Sequence, residues 1–127
     1  MNGIRIFTDE SGNVIEAVYA KENTVFSCDG KEMRELKANT SEGAAEKHLP
    51  EVAVEGNMVT VKVGSIAHPM TVEHSIGFIC LETEKGLQRV SLKPDEEPKA
   101  CFTLTEGDRP VAAYAYCNLH GFWKTEL

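Results

Sequence analysis

No apolar run in the chain approaches the roughly 20 residues that a membrane-spanning helix needs. Met1 to Phe7 contains no basic stretch leading into an apolar core, so no secretory leader is expected. Basic residues are the minority charge: 13 Lys and Arg stand against 20 Asp and Glu, for a net charge of −7. A nucleic-acid surface normally requires a basic patch, so that class of partner is not expected. No Gly-x-Gly-x-x-Gly follows a strand-like run, which removes the usual flavin and nicotinamide fingerprint. Only four cysteines are present: Cys28, Cys80, Cys101 and Cys117. Without a leader they are not read as a disulfide framework. Cys80 and Cys101 lie inside apolar runs and are expected to be buried free thiols, with a reducing, cytoplasmic location. Internal repeats and low-complexity segments are also lacking.

What is present reads as nearly all β. Val59, Val61 and Val63 alternate with Thr60 and Lys62, the period-2 signature of a half-buried strand. Val52 and Val54 form a matching run, and Gly56-Asn57 between the two signals a hairpin. Further strands are expected over Ser75 to Thr83, Leu87 to Leu92, Ala100 to Thr105 and Val111 to Tyr116, separated by turn-forming clusters around Gly86, Pro94 and Gly107. Short strands at this spacing point to a sandwich or barrel. Residues 1–38 look separate, with short runs at Ile4-Arg5-Ile6-Phe7, Val14 to Ala20 and Thr24 to Cys28. Leu36 to Ala45 reads as a connector, in which Thr40 or Ser41 is expected to cap a helical turn through Ala44-Ala45-Glu46.

The chemistry is concentrated in four histidines. His48 precedes Leu49-Pro50, His68 precedes Pro69, and His120 precedes Gly121. Pro restricts the local backbone and Gly admits tight turns, and a metal ligand needs a backbone set in this way. Cys117 and His120 are separated by two residues, a spacing that lets one turn aim both side chains at a point. His68 and His74, with five residues between them, can be returned to the same point by a loop. Structural zinc generally takes more cysteine and closes at four ligands, whereas five donors are available here. Blue copper uses two His and one Cys on a β-sandwich, usually with a weak axial Met, and Gly121 to Leu127 contains no Met. Imidazoles with one thiolate suit iron, and five donors leave one octahedral position for a substrate.

Four blocks, in order, carry a resemblance. They are Glu46-Lys47-His48-Leu49-Pro50, Val63-Gly64-Ser65-Ile66-Ala67-His68-Pro69-Met70, Glu73-His74, and Cys117-Asn118-Leu119-His120-Gly121-Phe122-Trp123. From about Asn39 to Lys124 the chain resembles the superoxide reductase family of desulfoferrodoxins and neelaredoxins. The resemblance implies an immunoglobulin-like seven-stranded β-sandwich over residues 39–127. It also implies one mononuclear non-haem iron with His48, His68, His74 and His120 equatorial and Cys117 axial. The implied activity is one-electron reduction of superoxide to hydrogen peroxide without release of dioxygen.

In the same family, residues 1–38 resemble the small desulforedoxin-like domain of the two-iron members. Its Cys-x-x-Cys-Gly-Asn block here reads Thr8-Asp9-Glu10-Ser11-Gly12-Asn13, and its adjacent cysteine pair reads Ser27-Cys28. With one thiolate left of four, this domain is expected to be metal-free. The resemblance also gives roles to Lys47, a local cation beside the open iron position of an acidic protein, and to Glu46, a carboxylate able to occupy that position after peroxide leaves. Trp123 and Tyr114 are read as core residues. The electron is expected from another protein, of rubredoxin type, and a homodimer or larger assembly is expected. The competing readings are an electron carrier on the same sandwich, cupredoxin-like or iron-containing, and an interaction domain without metal.

Overall fold

Alternating apolar residues make strands whose inner faces must be covered, and the chain satisfies this with two separate units. The computed structural model describes residues 3–127; Met1 and Asn2 of the first expected domain lie outside them. Chain contacts divide it into Met1–Lys37 and Ala38–Leu127. Among the described residues no helix is long and apolar enough to cross a membrane.

In the first unit, β1 (Ile6–Thr8) pairs antiparallel with β2 (Val14–Glu16) and, on its other side, with β5 (Arg34–Leu36). A two-residue turn at Asp29-Gly30, both with positive φ, closes the hairpin of β3 (Ser27–Cys28) and β4 (Lys31–Glu32). Ile6, Phe7, Met33 and Leu36 are buried, and the Phe7 and Phe26 rings meet edge to face at 4.8 Å. The strands are shorter than the runs Val14 to Ala20 and Thr24 to Cys28 suggested. The exposed Val18 and Tyr19 continue the apolar pattern without a partner strand.

The second unit begins with one helical turn, α1 (Ala45–His48). Its N-cap is Ala44, and no side chain caps it, so neither Thr40 nor Ser41 does so. Seven strands follow: β6 (Pro50–Glu55), β7 (Met58–Val63), β8 (Ile76–Thr83), β9 (Leu87–Ser91), β10 (Lys99–Thr103), β11 (Pro110–Cys117) and β12 (Gly121–Glu126). They form a three-stranded sheet of order β10-β7-β6 and a four-stranded sheet of order β12-β11-β8-β9, antiparallel throughout. The expected seven-stranded all-β sandwich is therefore present. Strand β12 is the seventh, and no period-2 run marks it: Gly121, Phe122 and Trp123 belong to the last of the four blocks.

Val59, Val61, Val63, Ala100 and Phe102 of one sheet share a buried core with Ile79, Leu81, Ala113 and Ala115 of the other. Cys117 lies in the same core, so the sandwich interior runs directly into the chemistry at its end. Cys80 is buried as expected, but Cys101 is exposed. On β10, Ala100 and Phe102 point inward, which turns Lys99, Cys101 and Thr103 outward.

Truncating Ile79, which has no exposed surface, should destabilise the chain by about 2–5 kcal/mol in urea unfolding, because the cavity is walled by both sheets. A maleimide reagent should label Cys101 in the native protein and leave Cys80 unmodified. Protection of Cys101 would contradict the register of β10.

Candidate metal centre

The centre is built from a hairpin, a helical turn and one long loop. Cys117 and Gly121 pair across the end of the β11–β12 hairpin, leaving Asn118-Leu119-His120 as a three-residue turn. Such a turn needs a left-handed residue at its exit, and Gly121 has φ +80°. A Cβ there would also lie 2.6 Å from Ser41 Oγ. The turn folds the His120 amide back onto Cys117 Sγ, N–H to S at 3.4 Å, and the His120 and Leu119 backbones partly offset the upward push of burial on the thiol. His48 ends α1. That turn is locked by Glu46, whose carbonyl accepts from the Ile66 amide at 2.9 Å and from Ser65 Oγ at 3.2 Å. Gly64 packs so closely beneath it that a Cβ would come within 2.6 Å of the Glu46 carbonyl. His68 and His74 come from the loop between β7 and β8.

The four imidazoles form a square. Ring centroids are 4.7 Å apart for His48 and His68, 4.6 Å for His68 and His74, 5.1 Å for His74 and His120, and 4.8 Å for His120 and His48. Each of these neighbouring pairs is edge-on. Across the diagonal, His48 and His74 are 6.4 Å apart and closer to parallel. Donor atoms of His48, His74, Cys117 and His120 all lie within 4.8 Å of one another, and His68 Nε2 is 3.2 Å from His48 Nε2. The structure thus brings together all five residues singled out from the sequence.

Hydrogen bonding dictates which nitrogens face inward. His48 Nδ1 is 2.8 Å from the Ala44 carbonyl, and His68 Nδ1 is 2.6 Å from the Pro69 carbonyl. A carbonyl only accepts, so each Nδ1 carries hydrogen and each neutral ring presents a bare Nε2 to the other. Burial keeps these rings neutral: it lowers the pKa of His48 and His74 and pushes His68 down to about 4. Two Nε2 lone pairs therefore face each other at 3.2 Å, His120 Nδ1 lies 3.1 Å from His48 Nε2, and His74 Nε2 is buried without a partner. Lone pairs converging in this way call for a shared cation. Cys117, whose thiol pKa burial raises, would bind such an ion as the thiolate, its proton displaced to solvent.

The Lys47 and Glu46 side chains are exposed on α1. The Lys47 charge is felt at the His48 and His74 rings, where it helps hold their pKa values down. The Glu46 carboxylate lies outside the donor cluster; its backbone carbonyl makes the contacts described above. Two residues near the rings carry more than the sequence suggested. The Trp123 indole stacks on His48 at 4.9 Å and 23°, and its N–H donates to the His120 carbonyl at 3.0 Å. Asn118 links the hairpin turn to the His74 loop. In the first unit, the Thr8–Asn13 turn is closed by Asp9, whose carboxylate accepts from the Ser11 amide and from the Asn13 amide and side chain. Thr8 Oγ1 donates to the Asn13 carbonyl at 2.8 Å, and Cys28 is a free thiol.

The fold and site define a β-sandwich protein with a histidine square and one buried cysteine, a set compatible with a metal site. The desulfoferrodoxin family model matches residues 40–126, so this chain belongs to the desulfoferrodoxin family. A desulfoferrodoxin homolog of Archaeoglobus fulgidus is 44% identical over 114 residues, spanning 90% of this chain and 89% of that protein. The desulfoferrodoxin of Clostridium acetobutylicum is 36% identical over 99% of this chain and 98% of its own. The crystal structure of the superoxide reductase from Treponema pallidum superposes with a TM-score of 0.87 at 38% identity, covering 98% of this chain and 100% of that one.

Metal-free protein should lose stability on acidification. His68 titrates near 6.5 in the unfolded chain and about 4 in the fold. Between those values the unfolded chain takes the proton and the folded chain resists it. The contribution is therefore fully present above pH 6.5 and on the order of 3 kcal/mol is lost by pH 4. Chelator-treated protein should show a falling Tm over this window, and His68→Gln should flatten the fall. An equal slope in the variant would mean that His68 is not held neutral.

Proposed function

We propose that this chain is a superoxide reductase carrying one iron ion held by His48, His68, His74, His120 and Cys117. The observation that carries the reading is the convergence of four imidazole nitrogens and one buried sulfur, in a chain whose relatives include named superoxide reductases. Iron bound there supplies the electron with which superoxide, taking up two protons, becomes hydrogen peroxide. Five donors are one short of an octahedral set, which suits a centre that must exchange a small ligand.

The chain's own residues do the rest. The Nδ1–H bonds of His48 and His68 to carbonyls fix the tautomers and raise the basicity of the inward nitrogens. Amide N–H groups of Leu119 and His120 draw charge from the Cys117 sulfur and so moderate its donation. Lys47 offers a cation to an anionic substrate that the net charge of −7 otherwise repels. Glu46, on the same turn, is the carboxylate proposed to take the substrate's place after product leaves. A rubredoxin-like protein is the proposed electron donor and a homodimer or larger assembly the proposed state. Residues 1–37 are the proposed metal-free desulforedoxin-like remnant. Four free cysteines favour a reducing, cytoplasmic location.

Purified protein should contain about one iron per chain and consume superoxide without evolving dioxygen. Cys117→Ser should abolish the visible thiolate-to-metal band. Full iron and an unchanged spectrum in that variant would refute the thiolate assignment, and two irons per chain would refute the metal-free remnant.

Lys47→Ala should keep its iron but capture superoxide more slowly and with less dependence on salt, since steering is screened over about 10 Å at 0.1 M ionic strength. Lys47→Arg should retain much of the rate, because steering requires charge rather than a fork of donors. Pulse radiolysis across ionic strength measures all three proteins. An alanine variant as fast as wild type at low salt would return Lys47 to an ordinary surface role.

A further inference from the structure

The histidines of the square are not held in the same way. His48 and His68 are each aimed by an Nδ1–H bond to a carbonyl, at 2.8 Å and 2.6 Å. His120 is gripped at its carbonyl by the Trp123 indole. No comparable ring bond holds His74 among the described residues, and its Nε2 is buried without a partner. Its aim must come from its backbone. On the upstream side the His74 amide donates to Thr71 Oγ1 at 3.0 Å. Immediately on either side of it, Glu73 and Ser75 are both held by a single side chain, Asn118. Asn118 Nδ2 donates to the Glu73 carbonyl at 2.9 Å, and the Ser75 amide donates to Asn118 Oδ1 at 3.0 Å. The Asn118 amide adds a longer bond to the Ser75 carbonyl at 3.3 Å.

We infer that Asn118 is the positioning residue for His74: it clamps both backbone neighbours of that histidine to the turn carrying Cys117 and His120. The inference rests on the reading of this cluster as a metal centre. The chemistry selects the residue type. One primary amide supplies a donor and an acceptor in fixed relation, and the clamp uses both. Aspartate of the same shape keeps only the acceptor and turns a negative oxygen toward the Glu73 carbonyl. Alanine supplies neither. Because Asn118 follows Cys117 directly, the clamp refers His74 to the sulfur and to His120 by a path of a few bonds, and not through the sandwich.

The test is iron affinity of the full chain, measured anaerobically by competition with a ferrous chelator. Asn118→Ala should lower it about tenfold to a hundredfold, the range seen when partners of metal ligands are removed. The ferric electron-spin resonance signal should change rhombicity, because one imidazole of the square is displaced. In a His74→Ala background the same substitution should cost less than about twofold, since its effect passes through His74. Asn118→Asp, which preserves shape but loses the donor, should show the same pattern and keeps the comparison available if the alanine variant does not fold. An undiminished affinity with an unchanged signal would overturn the inference, as would a full, additive loss in the His74→Ala background, the mark of general loosening. A wild-type chain that takes up no iron would instead overturn the metal-centre reading itself.

Discussion

Two uncharged imidazole nitrogens that face each other at 3.2 Å, each with its other nitrogen committed to a carbonyl, form an arrangement that a shared cation would satisfy. Everything else at this end of the sandwich serves that constraint. Burial keeps the rings neutral and so available as donors, while the same burial holds the proton on Cys117 until an ion displaces it. The site is therefore assembled at the expense of folding free energy, which a bound cation would recover.

The sandwich contributes rigidity more than chemistry. Cys117 is the last residue of a central strand and has no exposed surface, so the sulfur is referenced to the core itself. The hairpin turn then determines where His120 lies, because a three-residue connection leaves the backbone little freedom. His48 and His68 come from opposite sides of the same close approach, α1 resting on the Gly64 backbone and Glu46 bonded to Ser65 and Ile66. Trp123 covers one face of His48 and bonds the backbone of His120, coupling the two supports. A substitution beneath α1 would therefore be felt at the donor atoms without touching them.

Charge works at two ranges. The chain as a whole is acidic, and at a distance it repels small anions. Close to the rings, Lys47 supplies a positive charge whose effect, smaller than that of burial, reaches His48 and His74. Lys47 stands one residue before His48, so the turn that aims His48 also carries the ammonium.

Several features were legible because they are local. Period-2 alternation at Val59, Val61 and Val63 marks a strand wherever it lies in the fold, and the Cys117–His120 spacing with Gly121 carries its own turn geometry. The adjacency of Lys47 and His48 needs no tertiary information. The outward face of Cys101 was also within reach, from its place between Lys99 and Thr103. Other features depend on residues far apart in the chain meeting in space. Asn118 bonds residues 73 and 75, Trp123 stacks on His48, and the Gly64 backbone supports Glu46. Nothing in the local pattern around an asparagine or a tryptophan says which distant carbonyl or ring it will meet. The sequence by itself determined the candidate donors, the strand periodicity and the charge beside His48, since these are properties of residue type, short spacing and the order of the blocks. Only the tertiary structure decided which nitrogen of each ring faces inward and what holds His74 in place, because both follow from hydrogen bonds between loops that the packing of two sheets brings to one end.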